Sequence, residues 1–474
     1  MKKTITFLIL ISSLSAFSQQ TKEKMMDNIT KKEMYYGGIA KQIWNFAEVG
    51  YQETKSSALL QDILSKEGFK ITKGVAEIPT AFVAEYGSGK PVIGILGEFD
   101  ALPGLSQDST AEQKTIGAIA GHACGHHLFG TASAAAVIAA KEYMKTNNIT
   151  GTLRFYGTPA EEGGSGKVYM VREGLFNDVD VVVHWHPGAI NSASFGTSLA
   201  NKSGKFRFYG VSAHASASPE KGRSALDGVE AMDHMVNMLR EHVPSDTRIH
   251  YVITNGGKAP NVVPDFAEVY YYARSPRRNV VVDVWSRIEK AAQGAALGTD
   301  TKTDSELTGG TYELLPNETL AKVMHANLTK VGGMTYTNEE KDFAEKIAKT
   351  LSPETLKYED VTTVKPLSNQ RSGAGGSTDV GDVSWAVPTV GLTTATWVPG
   401  TPAHSWQAVA AGGMSIGRKG MLNAAKTMAL TLTELLEKPQ IIIDAKAEFD
   451  KLRGSNFKYT PMIGTRKPAL DYRK

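Results

Sequence analysis

The chain of 474 residues has a single cysteine, and this scarcity limits what its thiol can do. One cysteine cannot form a disulfide within the chain, so it serves packing, metal binding or nucleophilic attack. It lies in the segment GHACGHHLFG, residues 121–130, among three histidines. Because oxidising compartments favour paired cysteines, a lone thiol among imidazoles calls for a chemical explanation.

An excess of charge of one sign is also missing. The chain has 52 basic and 49 acidic residues, which gives a formal net charge of +3. This near-balance, without a basic stripe interleaved with aromatic residues, predicts no nucleic-acid partner. A hydrophobic fraction of 41% is typical of a soluble globular protein, and the length favours two domains.

Long hydrophobic runs are absent, even at the start of the sequence. The segment MKKTITFLILISSLSAFSQQ has Lys2 and Lys3, an apolar run over residues 5–14, and then small residues. That run is much shorter than the roughly 20 apolar residues of a membrane-spanning helix. We therefore expect residues 1–18 to be a secretory signal peptide, with no membrane anchor. The protein is expected to be exported, and to be periplasmic or secreted.

Several common catalytic motifs are missing as well. The two GSGK segments, at 87–90 and 164–167, lack the earlier glycine and the following Ser or Thr of a P-loop. We interpret both segments as turns. There is no G-x-S-x-G around a serine and no H-E-x-x-H, so a serine hydrolase or a zincin is poorly supported.

The alternation of helical and strand-like patterns predicts an α/β fold. We expect a catalytic domain, formed by two stretches of the chain, with a mixed sheet flanked by helices. Between these two stretches the order β-α-β-β-α-β predicts an inserted ferredoxin-like domain. The predicted units are the signal peptide (1–18), the first stretch of the catalytic domain (19–200), the inserted domain (201–312), the second stretch of the catalytic domain (313–437) and a C-terminal tail (438–474) to which no role is assigned.

Metal-capable side chains occur in four separate places at or after predicted strands or loops. They are Cys124 with His126, Glu161 with Glu162, His184 with His186, and His404. Each alone has an ordinary structural explanation, such as a buried thiol or a solvated glutamate. Together they are expected to meet where strands of the sheet end. Sulfur, imidazole and carboxylate suit zinc or another first-row divalent ion, and the number of ligands favours two ions with one bridging ligand.

Eight segments resemble the amidohydrolase branch of peptidase family M20, which comprises dinuclear metallo-aminoacylases and carboxypeptidases. They are GEFDALPG, GHACGHH, GTPAEEGGSGK, HWHPGAIN, GVSAHASASPEKGRSALDGVE, ITNGGKAPNVVPDFAEVYYYARSPR, STDVGDVSWAVPTV and GTPAHSWQ, in the order of the family. The resemblance implies two divalent metal ions per subunit, Zn or Mn, and an inserted domain that serves as lid and homodimer interface. It also implies hydrolysis of the amide bond of N-acyl or N-aroyl amino acids or short peptides with a free carboxylate. Aminobenzoyl-glutamate is one candidate substrate.

The resemblance assigns roles to individual residues. It implies the metal ligands Cys124, His126, Glu162, His186 and His404. Glu161 matches the general base, and His214 matches a residue that reaches a neighbouring active site and steadies the oxyanion. Asn261 and Arg274 match positions that grip the carboxylate of the substrate. Residues expected to support the ligands from behind are Glu98, Asp100, His122, His127, His184 and Asp379.

Two positions depart from the family pattern. His127 directly follows Cys-Gly-His, where many relatives have Asp or Asn. The first motif reads Glu98-Phe99-Asp100, where the wider family has His-x-Asp. Both departures lie beside the implied metal ligands. They bear on how those ligands are oriented, and therefore on which metal the site prefers.

Two other hypotheses compete with a metal-dependent hydrolase. One is a non-catalytic exported protein that binds a peptide or folate fragment on the same fold. The other is a cysteine hydrolase that uses Cys124 with a neighbouring histidine. The intact Glu161 and the full ligand set favour the metal-dependent enzyme.

Overall fold

The computed structural model describes residues 22–353, 356–370 and 376–473. The predicted signal peptide, residues 1–18, lies outside the described residues. No helix in the described ranges is both long enough and apolar enough to cross a membrane.

The described strands form a large mixed sheet, a smaller antiparallel sheet and a two-stranded ribbon. In chain order the strands are β1 (Lys70–Lys73), β2 (Phe82–Ser88), β3 (Val92–Gly97), β4 (Leu102–Pro103), β5 (Ala120–Gly121), β6 (Gly151–Gly157), β7 (Val181–Gly188), β8 (Ala200–Tyr209), β9 (Arg248–Asn255), β10 (Phe266–Ser275), β11 (Lys302–Thr311) and β12 (Thr389–Ala395).

Helices surround both sheets. In chain order they are α1 (22–31), α2 (Glu33–Phe46), α3 (Thr54–Lys66), α4 (His126–Asn147), α5 (Glu161–Gly164), α6 (Gly166–Arg172), α7 (Ala225–Leu239), α8 (Arg278–Gly298), α9 (Glu318–Val331), α10 (Asn338–Ala348), α11 (Glu359–Thr362), α12 (Val380–Ala386), α13 (Trp406–Gly412), α14 (Ser415–Glu437) and α15 (Pro439–Arg453).

The large sheet has the strand order β1-β2-β6-β3-β7-β12. The last four strands in this order are parallel, whereas β2 pairs antiparallel to β6 and β1 antiparallel to β2. The central strand β3 (VIGILG) is buried along its whole length, as expected for a parallel strand covered on both faces. The alanine-rich α4 packs on the sheet and against α14, which closes the main hydrophobic core. The predicted mixed sheet flanked by helices is confirmed.

The smaller sheet has the order β11-β8-β10-β9, and all its pairs are antiparallel. With α7 and α8 packed on it, this is the predicted β-α-β-β-α-β arrangement. Phe206, Phe208, Tyr271 and Trp285 fill its separate core. The alternating burial of β10 (FAEVYYYARS) matches a sheet with one covered face.

Some local predictions differ from the structure. The pattern KFRFYGVSAHA predicts a strand over 205–215, whereas β8 ends at Tyr209, because beyond Gly210 the backbone of Val211 pairs with that of Arg223. The pattern from about 410 to 437 predicts one long helix, whereas the structure has two helices, α13 and α14, which separate around Gly413. Part of the predicted tail is helical, because α15 spans Pro439–Arg453. Pro439 is at the start of this helix, where the missing backbone N–H of proline costs nothing.

Candidate metal centre

The parallel strands bring the predicted metal ligands together. Glu98 and Asp100 directly follow β3, the two glutamates of α5 follow β6, and His186 lies near the end of β7. Among the described residues, one group with ligand atoms within 4.8 Å of one another is Cys124, His126 and His186, and another is Cys124, Glu162 and His404. These two groups contain all five ligands that the resemblance implies, and Cys124 belongs to both. The arrangement provides two adjacent cation sites that share a sulfur atom.

The Cys124 sulfur is oriented toward His186. Its Sγ lies 3.4 Å from His186 Nε2, while His186 Nδ1 lies 2.7 Å from the carbonyl oxygen of Pro187. With the proton on Nδ1, the Nε2 lone pair points to the cluster, as a ligand histidine requires. Burial raises the pKa of the Cys124 thiol well above its usual range. A thiol in such a place ionises only against nearby positive charge, which a metal ion provides.

His126 is oriented by Asp100. The His126 ring is fully buried, with Nδ1 2.8 Å from Asp100 Oδ1, and Asp100 Oδ2 accepts a 2.9 Å hydrogen bond from the Glu162 backbone N–H. Burial tends to raise the pKa of Asp100, but the interactions with His126 outweigh it and lower that pKa. Asp100 therefore links two predicted ligands and fixes the His126 ring so that Nε2 faces the cluster.

Two buried atoms at the centre have no hydrogen bond within the described ranges of the chain. Glu98 Oε2 and His126 Nε2 lie 3.0 Å apart, yet neither forms a hydrogen bond. Buried polar atoms are almost always paired. Two electron-pair donors that face each other in this way are satisfied by a divalent cation, so the residues present fit a metal centre. Glu98, Glu161 and His126 form a third group of candidate ligands, so Glu98 is itself a candidate ligand, whereas the resemblance implied only a supporting role for it.

A strained loop presents Glu161 and Glu162. Ala160 and Ser165, on either side of them, have left-handed φ values of 57° and 59°. Such strain is retained where the surroundings enforce it. The buried Glu53 accepts a 2.8 Å hydrogen bond from the Ala160 backbone N–H. Burial, followed by repulsion from Asp100, raises the pKa of Glu53 to about 8. No pattern in the sequence indicated this role of Glu53.

Glu161 is half-buried and lies in a strongly acidic environment. Burial, then the negative charges of Glu162 and Glu98, raise the pKa of Glu161 well above its usual range. A carboxyl group with a raised pKa suits proton transfer near neutral pH. Glu162 Oε1 lies 3.2 Å from His404 Nε2, and His404 itself holds a left-handed φ of 61°. The adjacent glutamates thus have different surroundings, and their assigned roles stay predictions.

Lys167 is the main residue of the site that the sequence interpretation missed. It is fully buried in α6, and its Nζ lies 2.7 Å from both Glu98 Oε1 and Asp379 Oδ1. Burial tends to lower the pKa of Lys167, but Asp379 and Glu98 raise it. The second GSGK segment is therefore not a simple turn, because its lysine lies in the first turn of α6 and neutralises two buried carboxylates. The only signal in the sequence was a lysine close after two glutamates.

The other supporting histidines lie outside the ligand groups. The Nε2 atoms of His122 and His127 lie 3.0 Å from the carbonyl oxygens of Ile43 and Gly412, respectively. Burial, then His126, lowers the pKa of His122 to about 4, so this ring is neutral. His184 is buried on β7, where it packs closely on a glycine of β12.

A cavity of about 740 Å³ opens from the metal ligands to the inserted domain. Arg274 lines it from β10, and the Arg274 Nε is buried without a hydrogen bond to any described residue. This placement suits the predicted contact of Arg274 with the substrate carboxylate.

His214 and Asn261 do not line the cavity of their own chain. They are exposed and adjacent in two loops, where the backbone N–H of Ala215 donates to the carbonyl oxygen of Asn261. Their assigned roles stay predictions.

Comparisons with known proteins agree with this geometry. A family model for the M20 peptidase dimerisation domain matches residues 200–300. The chain is 40% identical over 462 residues to one of the subunits of p-aminobenzoyl-glutamate hydrolase from Escherichia coli (strain K12), covering 92% of this chain and 96% of the relative. It is 28% identical over 453 residues to a mouse (Mus musculus) Xaa-Arg dipeptidase, covering 92% and 94%.

Solved structures share the fold at low sequence identity. An aminobenzoyl-glutamate utilization protein from Klebsiella pneumoniae matches with a TM-score of 0.59 and 17% identity, covering 89% of this chain and 98% of that one. A dinuclear metal-binding peptidase of the M20 family from Bacillus subtilis matches with a TM-score of 0.58 and 15% identity, covering 86% and 99%. Since a relative 40% identical spans nearly the whole chain, the protein belongs to the M20 peptidase family and is a metal-dependent amide hydrolase.

Proposed function

We propose that the protein hydrolyses N-aroyl or N-acyl amino acids, and that p-aminobenzoyl-glutamate is the leading candidate substrate. The supporting observation is one cavity whose lining joins four of the five candidate ligands (Cys124, Glu162, His186 and His404) and Glu161 to Arg274. The similarity to a component of a p-aminobenzoyl-glutamate hydrolase supports the choice of substrate.

The site residues have distinct parts in the proposed reaction. Cys124, His126 and His186 would hold one divalent ion, and Cys124, Glu162 and His404 would hold the other. When bound, the two ions polarise the attacking water and the scissile carbonyl. Glu161 takes a proton from that water and delivers it to the nitrogen of the leaving amine as the C–N bond breaks.

Substrate binding and oxyanion stabilisation complete the scheme. The Arg274 guanidinium pairs with the free carboxylate of the substrate, since its planar fork matches two oxygens. We assign stabilisation of the oxyanion to His214 of a second subunit, which accounts for its exposure far from the cavity of its own chain. Asn261, adjacent to His214, would then bind the substrate from the same subunit.

The metal, assembly and location are proposed as follows. The native ions are Zn or Mn, since thiolate, imidazole and carboxylate ligands suit first-row divalent metals. The protein forms a homodimer through the inserted domain, where α7 and the edge strand β9 expose apolar side chains such as Met238 and Val252. The protein is exported, because residues 1–18 have the pattern of a signal peptide. Fractionation of cells that produce the full chain tests the location.

The Glu161→Gln variant tests the proposed chemistry. It should keep its metal content, since Glu161 belongs to neither of the two groups that share Cys124. Turnover should fall about 10²- to 10⁴-fold, because the water and the leaving amine lose their proton carrier. Metal analysis and steady-state kinetics on a panel of N-aroyl and N-acyl amino acids measure both effects. Substantial residual turnover would contradict the assignment of Glu161.

The same panel separates the competing hypotheses. A binding protein would retain the substrates without cleaving them, even after loading with Zn or Mn. A cysteine hydrolase would keep its activity in the presence of a chelator. Such activity is not expected, because burial raises the pKa of the Cys124 thiol, whereas a cysteine nucleophile needs a lowered pKa.

A further inference from the structure

The segment that follows α15 crosses both domains and ends in the catalytic cavity. Residues 454–473 contain neither helix nor strand, yet they are held at many points. Met462 packs in the core of the inserted domain, and Ile463 packs in a small core of the catalytic domain. Arg466 donates a hydrogen bond to the carbonyl oxygen of Leu307 on β11. We call residues 454–473 the strap.

The last residues of the strap are fixed against the catalytic domain. Arg172 Nη1 donates to the carbonyl oxygen of Arg466 at 2.7 Å, and Gln52 Nε2 donates to that of Leu470 at 2.7 Å. The Tyr472 ring packs edge-on against Tyr51, with 5.6 Å between the ring centroids. These contacts determine where the next residue, Arg473, is placed.

Arg473 lies in the wall of the cavity beside the metal ligands. Its Nη2 and the hydroxyl of Tyr472 both donate 3.0 Å hydrogen bonds to the carbonyl oxygen of Glu162. No carboxylate in the described ranges forms an ion pair with Arg473, so most of its N–H donors are available to a ligand. The guanidinium is therefore positioned by the Glu162 carbonyl oxygen, and no described carboxylate neutralises its charge.

The charges on the cavity wall favour an acidic ligand. Of the described acidic residues that line it, Glu161 and Glu162 face the metal cluster and Asp379 pairs with Lys167. Arg274 and Arg473, on different domains, are the remaining charged residues. A glutamate residue in a substrate carries two carboxylates. Two guanidinium groups approaching from two walls match that distribution of charge.

We propose that Arg473 binds the side-chain carboxylate of the substrate's amino acid while Arg274 binds its α-carboxylate. The enzyme thereby selects an acidic amino acid in the leaving position. This inference rests on the proposed function and specifies its substrate class. It also gives the strap a function, which is to deliver a specificity-determining residue to the cavity.

Arg473→Ala is tested with a matched pair of substrates, p-aminobenzoyl-glutamate and p-aminobenzoyl-glutamine. The two differ only in the charge of the side chain. For the glutamate compound, kcat/KM should fall about 10- to 100-fold, which corresponds to a lost charge-assisted hydrogen bond. For the glutamine compound the change should stay within about threefold. Arg274→Ala should impair both compounds, because both have the α-carboxylate.

Two further variants act as controls. Arg473→Lys keeps the positive charge but lacks the planar guanidinium group, and it should recover some of the preference for glutamate. Lys467→Ala removes another cation of the strap, one whose side chain is 80% exposed and pairs with Glu77 outside the cavity. It should behave as wild type.

An equal loss on both substrates in Arg473→Ala would mean that Arg473 only supports the Glu162 loop, and would overturn the inference. An unchanged preference would overturn it as well.

Binding separates this inference from the proposed function. Affinities of both compounds are measured by calorimetry on metal-loaded Glu161→Gln, with and without Arg473→Ala. If the wild-type protein cleaves neither compound, the choice of p-aminobenzoyl-glutamate as substrate fails. Weaker binding of the glutamate compound alone would still support the role of Arg473. Equal affinities in the two proteins would overturn that role, whatever the turnover.

Discussion

At the scale of single residues, Cys124 is explained by its position between two ligand groups. It is the only cysteine of the chain and is buried. His186 Nε2 approaches its sulfur from one group, and Glu162 and His404 belong to the other. A thiolate shared by two cations needs no disulfide partner. His127, the departure from the family pattern, instead binds the carbonyl oxygen of Gly412 and lies outside both groups.

The sharing of Cys124 predicts an unequal effect of ligand substitutions. Cys124→Ala should lose both ions, because each of the two groups loses a ligand. His404→Ala should lose only one of roughly two ions per subunit, because the other group stays complete. Metal analysis after dialysis measures the difference. Equal metal contents in the two variants would show that the sulfur is not shared.

At the scale of elements, short irregular segments do most to shape the site. The strained loop around α5 presents Glu161 and Glu162, and the strap holds that loop from the other side through Tyr472. The strap is itself anchored on α12, where Asp382 Oδ1 accepts a 2.7 Å hydrogen bond from the Tyr459 hydroxyl. Loops placed by rigid elements commonly carry function in this way.

Asp382 predicts a pH dependence of stability. Burial raises its pKa from 3.8 to about 7. Between these values the folded protein holds a proton that the unfolded chain has lost, so stability falls as the pH rises, by up to about 1.4 kcal/mol per pH unit from this group. Asp382→Asn should flatten the profile in that window, measured as the midpoint of urea unfolding. Parallel profiles for the two proteins would contradict this prediction.

At the scale of the whole molecule, the cavity is shared between domains. The catalytic domain supplies the candidate metal ligands, and the inserted domain supplies Arg274. His214 and Asn261 lie on that inserted domain but face solvent in the single chain. The resemblance implies that His214 acts at the site of a second subunit, and we propose the same arrangement here.

Mixed dimers test this assembly. His214→Ala and Glu161→Gln should each be nearly inactive alone. When the two are unfolded and refolded together, or co-expressed, a mixed dimer has one site with an intact Glu161 and an intact His214 from its partner. About a quarter of the wild-type activity should return if subunits pair at random. No recovery, with mixed dimers present by mass spectrometry, would place His214 in its own site or outside catalysis.

The sequence by itself determined the order of the elements and the residues available for chemistry. Periodicity over neighbouring residues predicted β3, β7 and both helices of the inserted domain, because these patterns depend on local burial. The family resemblance, which extends over nearly the whole chain, supplied the five candidate ligands. The strap and the first two helices carried no comparable signal.

Only the tertiary structure decided which of these residues meet. It grouped the ligands around Cys124, buried Lys167 between Glu98 and Asp379, and separated His214 from the cavity of its own chain. It also brought Arg473 to Glu162, more than three hundred positions away in the chain. Such approaches depend on packing between distant segments, and no pattern of neighbouring residues encodes them.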